Sequence, residues 1–421
     1  MKPYPRYKPT GLAWLPSVPE HWEVRKLRHI LSPVSEKNHA EKPLLSVVRE
    51  KGVILRDTEN KEENHNFIPD DLSNYKLVRE DQFAMNKMKA WQGSYGVSSY
   101  EGIVSPAYFV FDVHGVEKDF FHTAIRSAKY VAYFAQSSDG IRVGQWDLSI
   151  PRMKEIPFLI PPPSEQDRIV RYLDEKTAAI DELVRAKERE IDLLRERKQA
   201  LVSAAVTGGL DPATERKDSG VPWIGKIPKG WKVLKLRQIL SPVSEKNRPD
   251  LPLLSVVREK GVIIRDKDDM EENRNFIPDD LSGYKVVRKG QFAMNKMKAW
   301  QGSYGVSPYD GIVSPAYFVF NIRFDNPEYF HLAIRSKVYV DFFAQASDGI
   351  RIGQWDLNLA KMKEIPFLVP SAREQKEIVE RMPVLFAETD RKIALAEKSI
   401  ALLQELRIRL VSDAVTGAVE V

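Results

Sequence analysis

A ten-residue run, Asn86-Lys87-Met88-Lys89-Ala90-Trp91-Gln92-Gly93-Ser94-Tyr95, interleaves two lysines with aromatic and amide side chains. It recurs unchanged as Asn295-Lys296-Met297-Lys298-Ala299-Trp300-Gln301-Gly302-Ser303-Tyr304. These residue types suit a nucleic acid. Lysines and the hydroxyls of Ser94, Tyr95, Ser303 and Tyr304 can contact phosphates without reading sequence. The amides of Asn86, Gln92, Asn295 and Gln301 can pair bidentately with adenine in the major groove. Trp91 and Trp300 add flat faces, and glycine at 93 lets backbone approach a ligand closely. A second run, Ser138 to Trp146, is matched by Ser347 to Trp355. In it Arg142 or Arg351 can fork onto guanine or clamp a phosphate, with Gln145 and Gln354 beside them. Arg49 and Lys51, repeated as Arg258 and Lys260, are further phosphate candidates. The competing structural reading places Met88, Trp91 and Trp146 in a core and leaves the charges as a solvated face.

Catalytic chemistry has little to stand on. The chain has no GxxxxGK[ST] phosphate loop and no GxGxxG turn, and HExxH, HxE…PCxxC and GxSxG are absent too. It also lacks the Asn/Asp-Pro-Pro-aromatic loop of a DNA methyltransferase. Pro69-Asp70-Asp71 follows Arg49-Glu50-Lys51, the wrong order for a nuclease, and reads as a turn. Of seven histidines only His122 has a counterpart, His331; the others become Gly, Gln or Arg in the second half. An acid–base or metal-binding histidine needed in each half would not vanish from one. His122, beside two phenylalanines, reads as a core or rim residue. With no cysteine there is neither a disulfide framework nor a thiolate site. We expect a non-catalytic chain with no metal and no cofactor of its own. No apolar run approaches a membrane span and no signal peptide is evident, so a cytoplasmic location is expected. The net charge of +5 is compatible with nucleic acid and decides nothing alone.

The elements that must position these residues are written twice. Residue i matches residue i+209 without insertion or deletion from Trp22/Trp231 to Gly208/Gly417. A repeat this long is a duplicated domain, since solenoid units run about 20–50 residues. Each half opens with an arm rich in Pro, Gly and Trp, expected to be irregular and pinned by its tryptophans. Short apolar runs follow (Leu44–Val48, Gly52–Leu55, Ala107–Phe111, Ile156–Pro161), with one or two helices around Phe120–Gln136, which gives an α+β globule. Then comes a stretch from Ser164 to Val206 without Gly or Pro, read as one long helix capped by Ser164 with Asp167 and ended by Gly208 and Gly209. Its apolar stripe runs through Leu173, Ile180, Val184, Ile191, Leu194 and Leu201. The second stripe runs through Phe386, Ile393, Ile400, Leu403 and Leu410. Stripes this narrow suit two helices packing on one another as a coiled coil, each a rod of about 65 Å. Pro383 should kink the second rod or delay its start. The resulting domains are 1–163, a globule; 164–208, a rod; 209–372, a globule; and 373–421, a rod and tail.

The halves diverge unevenly. Over Gln82–Phe111, 28 of 30 positions agree with Gln291–Phe320, whereas from Ser164 to Gly208 only 18 of 45 agree with their partners. A local copying event would do this. So would a recognition surface that must do one job twice while the rods need only keep their apolar spacing.

The whole arrangement resembles the specificity subunit of type I restriction–modification systems. The resemblance rests on two globules, each followed by a long helix that opens at a proline-rich strand end with Glu165-Gln166 or Glu374-Gln375. The helices close in LVSAAVTG or LVSDAVTG, and the leading arms TGLAWLPSVPEHWEV and SGVPWIGKIPKGWKV belong to the same pattern. It covers essentially the whole chain. It implies that each globule is a target recognition domain and that the helices form an antiparallel spacer with pseudo-two-fold symmetry. It also implies double-stranded DNA and two modification (methyltransferase) subunits as partners, with two restriction (helicase-nuclease) subunits where the system cuts. S-adenosylmethionine, ATP and Mg2+ would belong to those partners. The family habit is two dissimilar recognition domains and an asymmetric split target; this chain departs from it, because its two globules are nearly the same. Two equal readers on a two-fold axis call for a palindromic or near-palindromic bipartite target. The rival class is a coiled-coil scaffold with two peptide-binding globules.

Overall fold

The computed structural model describes the chain except residues 1, 13, 58–67, 143–144, 266–276 and 352–353; the side chains of 139–147 and 350–354 also lie outside the description. The chain forms two compact units, Met1–Lys187 with Lys398–Val421, and Glu188–Glu397. Each contains one globule and portions of both long helices.

In the first unit the apolar runs become a four-stranded antiparallel sheet ordered Leu31–Val34, Tyr108–Val113, Phe83–Asn86, Tyr95–Val97. Alternation puts Phe83, Met85 and Phe111 on the face that packs against helices Lys118–Ile125 and Ala128–Gln136. Ala84 and Val110 turn to the other face and pack with the hairpin Leu45–Val48/Gly52–Leu55. The second unit repeats this with Leu240–Val243, Tyr317–Ile322, Phe292–Asn295 and Tyr304–Val306. The leading arms are more regular than their composition suggests. They form short antiparallel ribbons, Tyr7–Leu12 with Leu15–Pro19 and Arg216–Asp218 with Lys226–Pro228, and Trp22 and Trp231 are buried beyond them.

The long helices run Pro163–Gly208 and Ala372–Val415. In the first unit Ile169, Leu173 and Ile180 pack with Leu410, Ala414 and Val415, and Asp181 meets Arg407 at 3.3 Å. In the second, Lys198 meets Asp390 and lies over the Phe386 ring, while Arg195 meets Glu397 at 3.5 Å. Partner numbers fall as residue numbers rise, so the packing is antiparallel. Val184, Leu194, Leu201, Phe386, Ile393, Ile400 and Leu403 are half-buried, which fits a two-helix seam more than a closed core.

Two expectations at the helix starts need correction. Ser164 is not the cap: Pro163 begins the helix, and the Pro162 carbonyl takes the amides of Glu165 and Gln166 at 2.9 and 3.0 Å. The reciprocal cap appears instead in the second helix, where the Glu374 amide donates to Ser371 Oγ at 3.3 Å and that hydroxyl donates to Glu374 Oε2 at 2.8 Å. Pro383 does not delay the second helix, which already runs from Ala372.

The glutamines of the two Glu-Gln pairs tie each rod to its globule. Gln166 Nε2 donates to Pro161 O at 2.7 Å while its Oε1 accepts from the Glu117 amide at 2.9 Å; Gln375 Nε2 donates to Pro370 O at 2.9 Å. At the far ends, Gly417 seats against Pro19 and Trp22, and Gly209 against Trp231 and Pro228.

Candidate nucleic-acid interface

The Asn86 loop springs from the end of strand Phe83–Asn86 and turns through a 3-10 helix, Lys87–Gln92. Asn86 Oδ1 accepts from the Met88 amide at 3.1 Å, and its Nδ2 donates to Tyr108 Oη at 3.3 Å; Asn295 makes the same two bonds at the same lengths. Each amide thus makes one internal bond at its oxygen and one at its nitrogen, which fixes its orientation at the strand end. At the other end Gly93 takes a left-handed conformation (φ 91°), and a Cβ there would meet Val131 at 3.2 Å. That glycine serves the turn and the packing beneath it.

The loop offers its cations in two ways. Lys89 and Lys298 stand exposed beside exposed Met88 and Met297, while Lys87 and Lys296 are half-buried. Lys296 pairs with Asp356 at 2.6 Å. Ser94, Tyr95, Ser303 and Tyr304 are buried and leave the interface. Tyr95 lies 4.4 Å from the Phe134 ring and 5.7 Å from Phe83, with burial raising its phenol pKa. The aromatic end of the run was thus a core strand, not a contact surface.

Trp91 and Gln92 are half-buried and line an open cleft of about 420 Å³ with Arg49, Arg126, Val131 and, from the second long helix, Arg407. Trp300 instead lies 5.8 Å from the Trp355 ring. Gln301 is likewise half-buried. The second candidate run forms a hairpin, Ser138–Arg142 with Gln145–Leu148, repeated as Ser347–Arg351 with Gln354–Leu357. The side chains of Arg142, Gln145, Arg351 and Gln354 lie outside the described residues.

Next to the Asn86 loop is a cationic face that residue types alone had not singled out. Lys76 Nζ sits 5.3 Å above the Phe109 ring and donates to Tyr108 O at 2.6 Å. Burial, and then repulsion from Lys37, hold its pKa below the ordinary lysine value. Lys285 repeats the arrangement over Phe318 at 5.6 Å, its pKa lowered by burial and by Lys246 and Lys296. The charge of Arg56 acts on Tyr108, and that of Arg265 on Tyr317. Burial is the larger cause in both, so each lysine is a half-buried cation with further basic residues near it. Lys76 escaped notice because it opens an apolar strand, Lys76–Val78, where a lone lysine reads as solvated.

His122 and His331 are part of the support beneath, as expected of core or rim residues. Nδ1 of each accepts a strand amide, Val97 at 3.1 Å and Val306 at 3.2 Å, so the ring is neutral with its proton on Nε2. Burial first, and then the adjacent arginine, lower both pKa values, His331 to about 4. Among the described residues, no group of three or more His, Cys, Asp or Glu is arranged to hold a metal ion, and no helix is long and apolar enough to cross a membrane.

No protein-family model matches the chain. Two Escherichia coli proteins are similar in sequence. The type I restriction enzyme EcoDI specificity subunit is 20% identical over 349 residues, covering 78% of this chain and 76% of that protein. The EcoBI specificity subunit is 25% identical over 325 residues, covering 71% and 65%. In structure, a chain described in work on complex assembly and conformational transition of the type I R-M system superposes with a TM-score of 0.62 at 12% identity, covering 96% of this chain and 99% of that one. That likeness establishes the fold.

Proposed function

We infer from its similarity to type I restriction specificity subunits that this chain gives DNA sequence specificity to a complex and performs no catalysis itself. The observation that carries this reading is the basic residues beside the Lys89 and Lys298 loops, where Lys76 and Lys285 each lie over a phenylalanine ring and donate to a tyrosine carbonyl with matching geometry in both units.

The finer reading is a bipartite target. Each unit reads one half-site: Lys76, Lys89 and their counterparts position the duplex, and Gln92 and Gln301, with the hairpins of Arg142 and Arg351, contact bases. Because the loops are identical in sequence, the half-sites should be the same or nearly so, arranged as an interrupted palindrome. The paired helices would set the gap and dock two methyltransferase subunits; exposed Leu193, Leu402, Leu406 and Ile408 lie off the helix–helix seam and suit such a role. S-adenosylmethionine would then belong to those subunits, and ATP and Mg2+ to two restriction subunits where these are present.

The test is binding of the assembled complex to duplex DNA across a salt series. A steep linear fall of log affinity with log salt supports the reading. Binding indifferent to salt, or absent, refutes it.

A further inference from the structure

Arg126 and Arg335 are half-buried cations, and neither makes an ion pair among the described residues. Each follows a short helix, Lys118–Ile125 or Pro327–Ile334, as its C-cap. The Arg126 guanidinium donates only to backbone carbonyls: Nη1 to Tyr95 O at 2.5 Å, and Nη2 to Arg49 O at 2.8 Å and Glu50 O at 2.9 Å. Arg335 repeats this with Tyr304 O at 2.6 Å, Arg258 O at 2.8 Å and Glu259 O at 2.9 Å. One guanidinium thus joins the edge strand Tyr95–Val97 to the turn of the hairpin Leu45–Val48/Gly52–Leu55. The planar fork makes this possible; an ammonium offers no such spread of donors.

The turn is built to receive it. Gly52 has φ +73°, and a Cβ on it would lie 3.1 Å from Arg126 Nη1 and 3.3 Å from His122 Cε1; Gly261 has φ +72° and a matching 3.2 Å approach to Arg335. Glycine serves both the conformation and the close packing. A guanidinium committed to the carbonyls of a three-residue turn and of the strand beside it implies that the position of that turn matters. The turn carries Arg49 and Lys51, or Arg258 and Lys260. Arg49 lines the same cleft as Trp91 and Gln92 and makes no ion pair among the described residues; Arg258 lies 3.5 Å from Glu259, its chain neighbour.

We propose that Arg126 and Arg335 are positioning residues for DNA recognition: each fixes its hairpin turn so that Arg49 or Arg258 contacts a backbone phosphate beside the Gln92 or Gln301 loop. This rests on the DNA-reading function inferred above. The test uses the full chain assembled with its modification subunits and an end-labelled duplex, with affinity measured across a salt series and melting followed in parallel. Arg49→Ala with Arg258→Ala should lower the slope of log affinity against log salt by about two, near one per lost phosphate contact. Arg126→Gln with Arg335→Gln should lower it as far without touching the contact residues, and combining both pairs should lower it no further. Gly52→Ala with Gly261→Ala disturbs the same clamp from its other side and should act likewise, which keeps the test open if the arginine variants fold poorly. An unchanged slope in the Arg49/Arg258 variant, from a complex that still binds DNA with steep salt dependence, overturns the proposal and leaves the DNA-reading function standing. So does an Arg126/Arg335 variant, or the glycine variant, that melts earlier with its slope intact. If the unmodified complex shows no salt-dependent binding, the DNA-reading function fails, and the proposal with it.

Discussion

At the scale of the residue, the Asn86–Tyr95 run, proposed above to meet DNA, was half legible. Its lysines were found by type and spacing, and Lys89 and Lys298 do stand in solvent. Replacing both with alanine should weaken binding to all duplexes alike and reduce the salt slope by about two, as measured by titration at several salt concentrations. Gln92→Ala should instead relax choice at one base position, a discrimination worth roughly 1–3 kcal/mol, read by comparing duplexes that differ at single positions. Equal behaviour of the two variants would contradict this sorting. What could not be read from type alone was where the run dives into the core. Ser94 and Tyr95 look like contact residues in a string, yet both are buried, Tyr95 beginning the edge strand of a sheet and Ser94 leading into it. Polar side chains at a strand start carry no mark of which face they take.

The buried imidazoles add a pH dependence with a definite sign. His331 is held at about 4 in the folded chain against an ordinary value of 6.5, and His122 is shifted the same way. The folded state therefore favours the neutral ring. The contribution is complete above pH 6.5 and is lost as pH falls toward 4, by on the order of 3 kcal/mol for a shift of this size. Thermal melts of His331→Gln should show a flatter acid limb than the unmodified chain over that window. An unaltered limb would mean that the ring is not desolvated as described.

At the scale of the element, the rods were the most legible part, because apolar residues at three- and four-residue spacing have few other uses. Leu173 and Leu410 are buried in the first unit, so either one changed to alanine should cost about 2–5 kcal/mol in chemical denaturation. Leu402→Ser with Leu406→Ser, on exposed positions, should leave melting nearly unchanged and weaken association with the modification subunits, as measured by co-purification. If instead these serines destabilise the chain alone, their outward placement is wrong. The helix starts were less legible. Ser164 follows a run of three prolines and looked like a cap, but Pro163 needs no amide partner and opens the helix one residue earlier. The serine that does cap, Ser371, occupies a position where the first half has Pro162. The glutamines of the Glu-Gln pairs were noticed as a motif; only the structure gives their purpose, tying each rod to the strand end before it.

At the scale of the whole molecule, the duplication was plain from the sequence and the fold bears out what it implied: two strand-rich globules with long helices packed antiparallel. Less visible was that each unit draws on both helices. The second rod returns to complete the first unit, where Gly417 seats on Trp22 and the Glu420 amide reaches Lys2 O at 2.8 Å. Such a contact joins positions at opposite ends of the chain, and no local pattern announces it. The claim that ties these scales together is that one recognition surface is used twice. Modified-base sequencing of DNA from a cell carrying the complete system tests it most directly. The account predicts methylation at an interrupted palindrome or near-palindrome; two clearly different half-sites flanking the gap would contradict it.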